Sequence, residues 1–415
     1  MAATQLVIGT AASASPGSEA LVVLDVTGTD GRTERASTVS GDLRVGPMAV
    51  DRQTGVLYCT DERTDDPDVG PGGGGRVFAF DRSAPDGGFA ELNHRPSYGA
   101  LASSVCLDGD GEHLLVTNHA QNLVVTDVVR TTGGAWKVVP RRDVATTGLH
   151  RIAPDGSIGE LCDLFVHPAP SGSAGSGQAH PHSVARSPVG EFFVVCDKGG
   201  DRVHTFRIDH DRGVLVECAV VDTVSGSAPR YSAFHPTAPW VFVNHERGPT
   251  VDTYRYDADS AQLELVASAR VAAGDDQQSD ILVDAAGTFV YTLVRGADEL
   301  VVLEVDAVSG ELRAVQAQPV GAASPRAMAV SSDLSLLWVV CSGSDELVAF
   351  TVASDGRVAP TGQRRLVPGA RSIIVVDAAV AATGRQRSAP PPALDDAEYP
   401  NPHPPVVGQH REPEA

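Results

Sequence analysis

GQAHPHSVARSPVGEFFVVCDKGGDRVHTFRID, residues 177–209, decides the fold. A strand carrying His180 and His182 runs into a turn at Ser187–Gly190, and the apolar run Phe192–Cys196 follows. A tight polar turn, Asp197–Asp201, then leads into Val203–Ile208, where apolar and polar residues alternate. Alternation with a period of two is the mark of a half-buried strand, and short apolar runs between turn residues read as buried strands. The same unit returns along the chain.

The unit recurs seven times. Its first apolar runs are Leu6–Thr10, Val56–Thr60, Leu114–Asn118, Phe192–Cys196, Trp240–Asn244, Phe289–Val294 and Leu336–Cys341. Their hairpin partners are read at Ala20–Val26, Arg76–Asp81, Asn122–Val128, Arg202–Asp209, Thr250–Asp257, Glu299–Asp306 and Glu346–Val352. Six of the runs have a preceding strand: Val45–Val50, Ala102–Leu107, His182–Arg186, Arg230–Phe234, Asp280–Val283 and Arg326–Val330. A seventh such strand, Arg371–Val376, has no hairpin after it, and the first hairpin has no strand before it. Pairing these two orphans closes a ring. Antiparallel sheets set radially around a channel leave only short, protected edges. The expected fold is therefore all-β, a seven-bladed β-propeller over residues 1–380 closed by its N- and C-terminal strands. Residues 131–179 read as an inserted loop over one face, and 381–415, rich in proline and charge, as a disordered tail.

Composition narrows the function. The 415 residues carry 42 glycines and 28 prolines, as many short strands joined by turns require, and a net charge of −21. Lys137 and Lys198 are the only lysines. A surface this acidic repels nucleic acid and anionic lipid, so neither is an expected partner. No stretch is long enough to cross a membrane as an apolar helix. The six cysteines are scattered without a CxxC, which suggests buried free thiols. The start, MAATQLVIGTAASASPG, has small residues but no basic leader region, and Leu6–Thr10 fits the repeat. A cytoplasmic protein, monomeric or weakly homo-oligomeric, is expected.

The repeat also aligns charges. His182, Arg230, Asp280 and Arg326 fall together at the start of the innermost strand, and Lys198, Glu246 and Arg295 fall together just past its hairpin partner. These ends are neighbours in an antiparallel pair, so both columns face one rim of the central channel. Singly, a histidine or arginine at a strand end is an ordinary solvated rim residue, and Asp197, Asp201, Asp298 and Asp345 are turn formers. Together the columns describe a pocket for a small anionic substrate. The HPH motif offers two imidazoles on opposite faces of a strand, so no metal is expected there. No nucleotide-binding or GxSxG signature is present, and no cofactor is expected.

HPHSVARSPVGEFFVVCDKGGDRVHTFRID and APRYSAFHPTAPWVFVNHERGPTVDTYRYD together resemble the seven-bladed lactonase family. That family includes propeller-type 6-phosphogluconolactonases and carboxymuconate lactonizing enzymes. LVRGADELVVLEVDAVSGEL and SPRAMAVSSDLSLLWVVCSGSDELVAFTVASDGRVAPTGQ extend the likeness, which covers roughly residues 5–378. The resemblance places the family's histidine on His182, its two arginines on Arg230 and Arg295, and its glutamate on Glu246. It implies acid–base roles for His182 and Glu246 and substrate binding by Arg230 and Arg295. Arg326 and Lys198, which share the repeat positions but lie outside the set the resemblance carries over, are expected on the binding wall with His180. This chain has Tyr231 where the family has histidine and Lys198 where it has leucine, and His245 separates Asn244 from Glu246. Three functions suit these residues: lactone hydrolysis, lactone-forming cycloisomerisation of an unsaturated diacid, and protein binding by a non-catalytic propeller. The His–Glu–Arg set at one channel mouth favours the enzymatic pair, because a scaffold has no need of it.

Overall fold

A computed structural model describes residues 4–11, 18–84, 88–130, 134–170, 177–274 and 277–377. Seven four-stranded antiparallel sheets radiate from a central channel, and a separate two-stranded hairpin accompanies them. The first blade joins the two ends of the chain. Ala370–Asp377 is its innermost strand and pairs along the whole of Thr4–Thr10, with Glu19–Val26 and Thr33–Ser40 outside. The seven apolar runs read from the sequence are the second strands of the seven blades.

These second strands are apolar without interruption because both of their faces are covered. Phe192–Asp197, Trp240–His245, Phe289–Val294 and Leu336–Cys341 are buried at every residue. A strand packed between neighbouring sheets has no solvent face to alternate toward. The core accordingly lies between blades. Leu6, Ile8, Val22 and Leu24 of the first blade interleave with Trp338, Val340, Leu347 and Ala349 of the seventh.

Polar staples bind several of the blades to their neighbours. Asp201 Oδ1 accepts the Ala228 amide at 2.9 Å, Asp298 Oδ1 that of Ser324 at 2.6 Å, and Asp345 Oδ1 that of Gly369 at 2.9 Å. Each of these aspartates has positive φ in the turn between second and third strands. They are turn formers, as expected, and they also hold the segment that enters the next blade. On the other face Tyr58 donates to Gly156 O, Tyr291 to Gly356 O and Trp338 to Gly31 O, again from blade to blade. Gly356 has φ of 75°, and a Cβ there would sit 2.4 Å from the Phe289 ring, so glycine is required on both counts.

The third blade departs from the sequence reading. Asn122–Val128 is not its third strand. Val124–Arg130 pairs instead with Trp136–Arg142 as a projecting hairpin. The third and fourth strands of the blade are Thr146–Ile152 and Ile158–Val166. Residues 131–179 are thus not one inserted loop: they hold half of a hairpin and half of a blade. The hairpin misled because its valines mimic a buried strand, yet Val124, Val128 and Val138 are exposed. The segment 381–415, read as a tail, lies outside the described residues.

Ring closure generates a prediction. A chain ending at residue 369 loses the innermost strand of the first blade and the burial of Ala370 and Val376 and, in part, of Ile373 to Val375. Each aliphatic side chain withdrawn fully from water is worth about 1.5–3 kcal/mol, so stability should fall by several kcal/mol. A chain ending at residue 382 keeps the strand and should melt in denaturant like the full chain. Coincident denaturant melts for the two truncations would overturn closure as the stabilising device.

Candidate active site

Each innermost strand begins with a bulge, and the bulge aims one residue at the channel. In the fourth blade Pro181 pairs Asp197 and Ser183 pairs Cys196, leaving His182 as the extra residue. Arg230, Arg326 and Arg371 are the extra residues of the fifth, seventh and first blades. A bulge kinks the strand and re-aims a side chain, which is how residues from separate blades meet. The register also corrects one alignment. Counted from the Gln278–Val294 and Ile281–Thr292 pairs, Asp280 stands at the position of Ser183 and Tyr231, one step further along, and Ser279 is the true counterpart of His182. Ser279 Oγ donates to Pro325 O and Ser103 Oγ to Pro181 O, both at 2.7 Å, so these two positions link blades and bear no charge.

Glu246 is the hub of the rim. Lys198 Nζ lies 3.1–3.2 Å from both of its oxygens, Arg230 Nε donates to Oε2 at 3.0 Å, and Arg295 Nη2 stands 3.7 Å away. Burial alone would raise the Glu246 pKa. Lys198, Arg230 and Arg295 reverse that and hold it at about 2. Burial lowers Lys198, against the pull of Glu246, and brings Arg295 down to about 10. Arg230 is nearly inaccessible, donates through Nη1 to Ser279 O and lies 4.9 Å from the centroid of the Tyr231 ring.

Arg326 stands apart from that hub. It faces Glu62 at 3.9 Å, and Arg371 faces the same carboxylate at 3.2 Å. Glu62, Arg230, Tyr231, Asp280, Arg326 and Arg371 line one central cavity of about 160 Å³. Asp280 accepts the amides of Ile281 and Met328, both at 2.9 Å, yet burial raises its pKa to about 6. A second cavity of about 190 Å³ lies on the other side of Glu246, against Lys198, His180 and Asn122.

His182 packs edge-on to Tyr231, with ring centroids 5.1 Å apart, and to His119 at 5.7 Å. Burial first, then Arg230 and Lys198, drives its pKa well below the usual histidine value, so the ring is neutral. Its Nδ1 is buried without a hydrogen-bond partner, and so is Arg295 Nε. His180 stacks on His119 at 4.3 Å, and its Nε2 meets Asn122 Nδ2 at 3.1 Å at the foot of the projecting hairpin.

The structure thus gathers Lys198, Arg230, Glu246 and Arg295 into one cluster and places Arg326 in a second cluster on the same mouth. His182 lies behind Tyr231, and His180 lines the second cavity. Sequence reasoning missed Glu62, His119 and Arg371 as members of the columns. Arg371 opens the orphan strand as Arg326 opens its own, and Glu62 and His119 follow their second strands as Glu246 does. Counting forward from the end of each second strand finds Glu62 and His119, whereas counting back from the third strand does not, because the turns that follow in the second and third blades are longer.

The Glu246 pKa carries a stability prediction. A carboxyl held at about 2, against 4.5 for the free group, contributes stability that is fully present above pH 4.5 and lost as pH falls toward 2. Glu246→Gln should therefore destabilise the protein by on the order of 3 kcal/mol at pH 7. The gap from wild type should narrow below pH 4.5. Denaturant melts across pH check this, and a gap independent of pH would contradict it.

A family model described as a seven-bladed β-propeller lactonase matches residues 5–375. The 6-phosphogluconolactonase of Bacillus subtilis is 24% identical over 330 residues, covering 79% of this chain and 84% of that one. Among solved structures, a periplasmic gluconolactonase of Pseudomonas aeruginosa superposes with a TM-score of 0.77 at 22% identity, covering 90% of this chain and 99% of that one. A structure described as a putative 6-phosphogluconolactonase of Bacteroides fragilis gives 0.75 at 18%, covering 91% and 98%. At these identities the structural likeness speaks for the fold. The family match over nearly the whole propeller goes further, and the chain belongs to the seven-bladed β-propeller lactonase family.

Proposed function

We propose that this protein hydrolyses a small anionic lactone at the central mouth. One observation carries the reading. A chain of net charge −21 concentrates Lys198, Arg230, Arg295, Arg326 and Arg371 at one opening, beside an aspartic acid lifted to about 6. An acidic surface excludes anions, so a cationic mouth within it is a selective device. Arg326 is the least committed of the five, because among the described residues its ion-pair partner is Glu62, as far off as 3.9 Å. It and Arg230 are assigned to the substrate anion and to the oxyanion that develops on the carbonyl.

Asp280 is the base best matched to the task, since a catalytic pKa near the working pH combines the right protonation state with driving force. In this mechanism Asp280 takes a proton from water as the water oxygen bonds to the lactone carbonyl carbon. The tetrahedral oxyanion collapses, the ring C–O bond breaks, and the leaving alkoxide recovers the proton from Asp280. The product is the open hydroxy acid. Glu246, expected from the resemblance to handle a proton, is too acidic for that at about 2, and its role here is to hold three cations in place. His182, neutral with a free Nδ1, is the alternative base. The relatives bear lactonase names, and no observation favours the lactone-forming direction.

A pH-stat screen of phosphorylated and plain γ- and δ-lactones tests the proposal. On a substrate that is turned over, Asp280→Asn should lower kcat by about 100-fold or more and abolish the rise in rate as pH climbs through about 6. Arg326→Ala should chiefly raise KM, by roughly 10- to 100-fold, as loss of a charge-assisted hydrogen bond of about 1.5–3 kcal/mol implies. Full turnover in Asp280→Asn with collapse in His182→Ala would transfer the base to His182. Full turnover in both, or no lactone consumed, would sink the reading.

A further inference from the structure

A second group of polar side chains lies between the third and fourth blades, away from the substrate mouth. His167 follows the outer strand of the third blade, Asp197 ends the second strand of the fourth, and His204 lies on the third strand of the fourth. All three are more than nine-tenths buried. One possible ligand atom from each lies within 4.8 Å of the other two.

The remaining atoms of the three side chains are already engaged. His204 Nδ1 meets Glu217 Oε1 at 2.8 Å, and a carboxylate accepts, so Nδ1 carries the proton and Nε2 presents its lone pair. Nε2 has no hydrogen-bond partner and faces Asp197 Oδ2 at 3.9 Å, too far for a direct hydrogen bond. His167 Nε2 is bonded to Thr147 Oγ1 at 2.8 Å, which leaves Nδ1 buried and unpartnered. Asp197 Oδ1 takes the amides of His180, Gly199 and Gly200, at 2.6, 3.1 and 3.0 Å, and this frees Oδ2. Each histidine of this buried trio thus keeps one unpartnered ring nitrogen, beside the carboxylate of Asp197.

We propose that His167, His204 and Asp197 bind a divalent transition-metal ion, with zinc the best match. Two imidazoles and one carboxylate are borderline donors suited to zinc, and a carboxylate on the far nitrogen of His204 is the usual outer partner of a zinc-bound histidine. Zinc bonds of about 2.0–2.2 Å require these atoms to draw together by roughly 1 Å, a side-chain adjustment. The role is structural, because the three side chains are enclosed away from the central cavity. The ion ties the turn that carries Lys198, through Asp197, to the third blade. This is the seam beside the blade that the projecting hairpin interrupts. It departs from the sequence expectation of no metal, which rested on the HPH motif and did not consider this trio.

Cobalt(II) is the probe. The full chain, stripped with a chelator, should take up a single equivalent with the visible absorption of low-coordinate cobalt, and zinc should displace it and raise Tm in a concentration-dependent way. His204→Gln should abolish the spectrum, and Glu217→Gln, at a more accessible side chain, should weaken cobalt binding about 10- to 100-fold. His210→Gln, which alters the separate Asp108, His113 and His210 group, should leave it unchanged. Should His204→Gln fail to fold, the wild-type spectrum and Glu217→Gln decide. The proposal is overturned if wild-type protein gives no spectrum, which would leave the pocket to water. It is equally overturned if the spectrum survives Glu217→Gln with unchanged affinity, or disappears in His210→Gln.

Discussion

The pairing of Thr4–Thr10 with Ala370–Asp377 turns a row of sheets into a ring, and the rest of the molecule follows from that closure. Without it the first and seventh blades would each expose an apolar face, since Leu6 and Ile8 pack on Trp338 and Val340 across the seam. Stacked repeats bury their faces only against neighbours, so an open array always leaves two ends uncovered. Closure also places Arg371 on the mouth. A residue hundreds of positions from Glu62 in sequence becomes its ion-pair partner at 3.2 Å.

Given the ring, the mouth is an electrostatic problem with a specific solution. Five cationic side chains in one funnel repel one another, and burial makes the repulsion worse. Two carboxylates offset it, Glu246 among Lys198, Arg230 and Arg295, and Glu62 between Arg326 and Arg371. Positive charge remains in excess, and that excess is what an anion meets. Gly46 belongs to this arrangement as well. A Cβ there would fall 2.3 Å from Thr60 Oγ1 and 2.8 Å from Glu62 Oε1, so glycine leaves room for both side chains.

The sequence pattern was most legible where burial is complete. All seven second strands were readable because both faces are covered and the apolar runs are unbroken. The outer strands escaped notice for the opposite reason. Leu263–Arg270 and Val358–Leu366 are exposed along most of their length, so polar residues serve as well as apolar ones and no pattern is imposed. The third blade misled for a related reason, because valine in the exposed hairpin Val124–Arg130 looks like valine in a core.

What the sequence determined by itself was the count of seven blades, the closure and two columns of charge, all consequences of a local period repeated along the chain. Tertiary structure alone decided which members of those columns act together. It put Asp280 one step off the column and onto the central cavity, paired Arg371 with Glu62, and left His182 behind Tyr231. It also joined His167 to His204 across a blade boundary. A repeat specifies positions along a strand, whereas bulges, and contacts between blades, set where a side chain points and what surrounds it. The pKa of a group depends on those surroundings, which is why Glu246 and Asp280, both plain carboxylates in the sequence, differ by about four units in the fold.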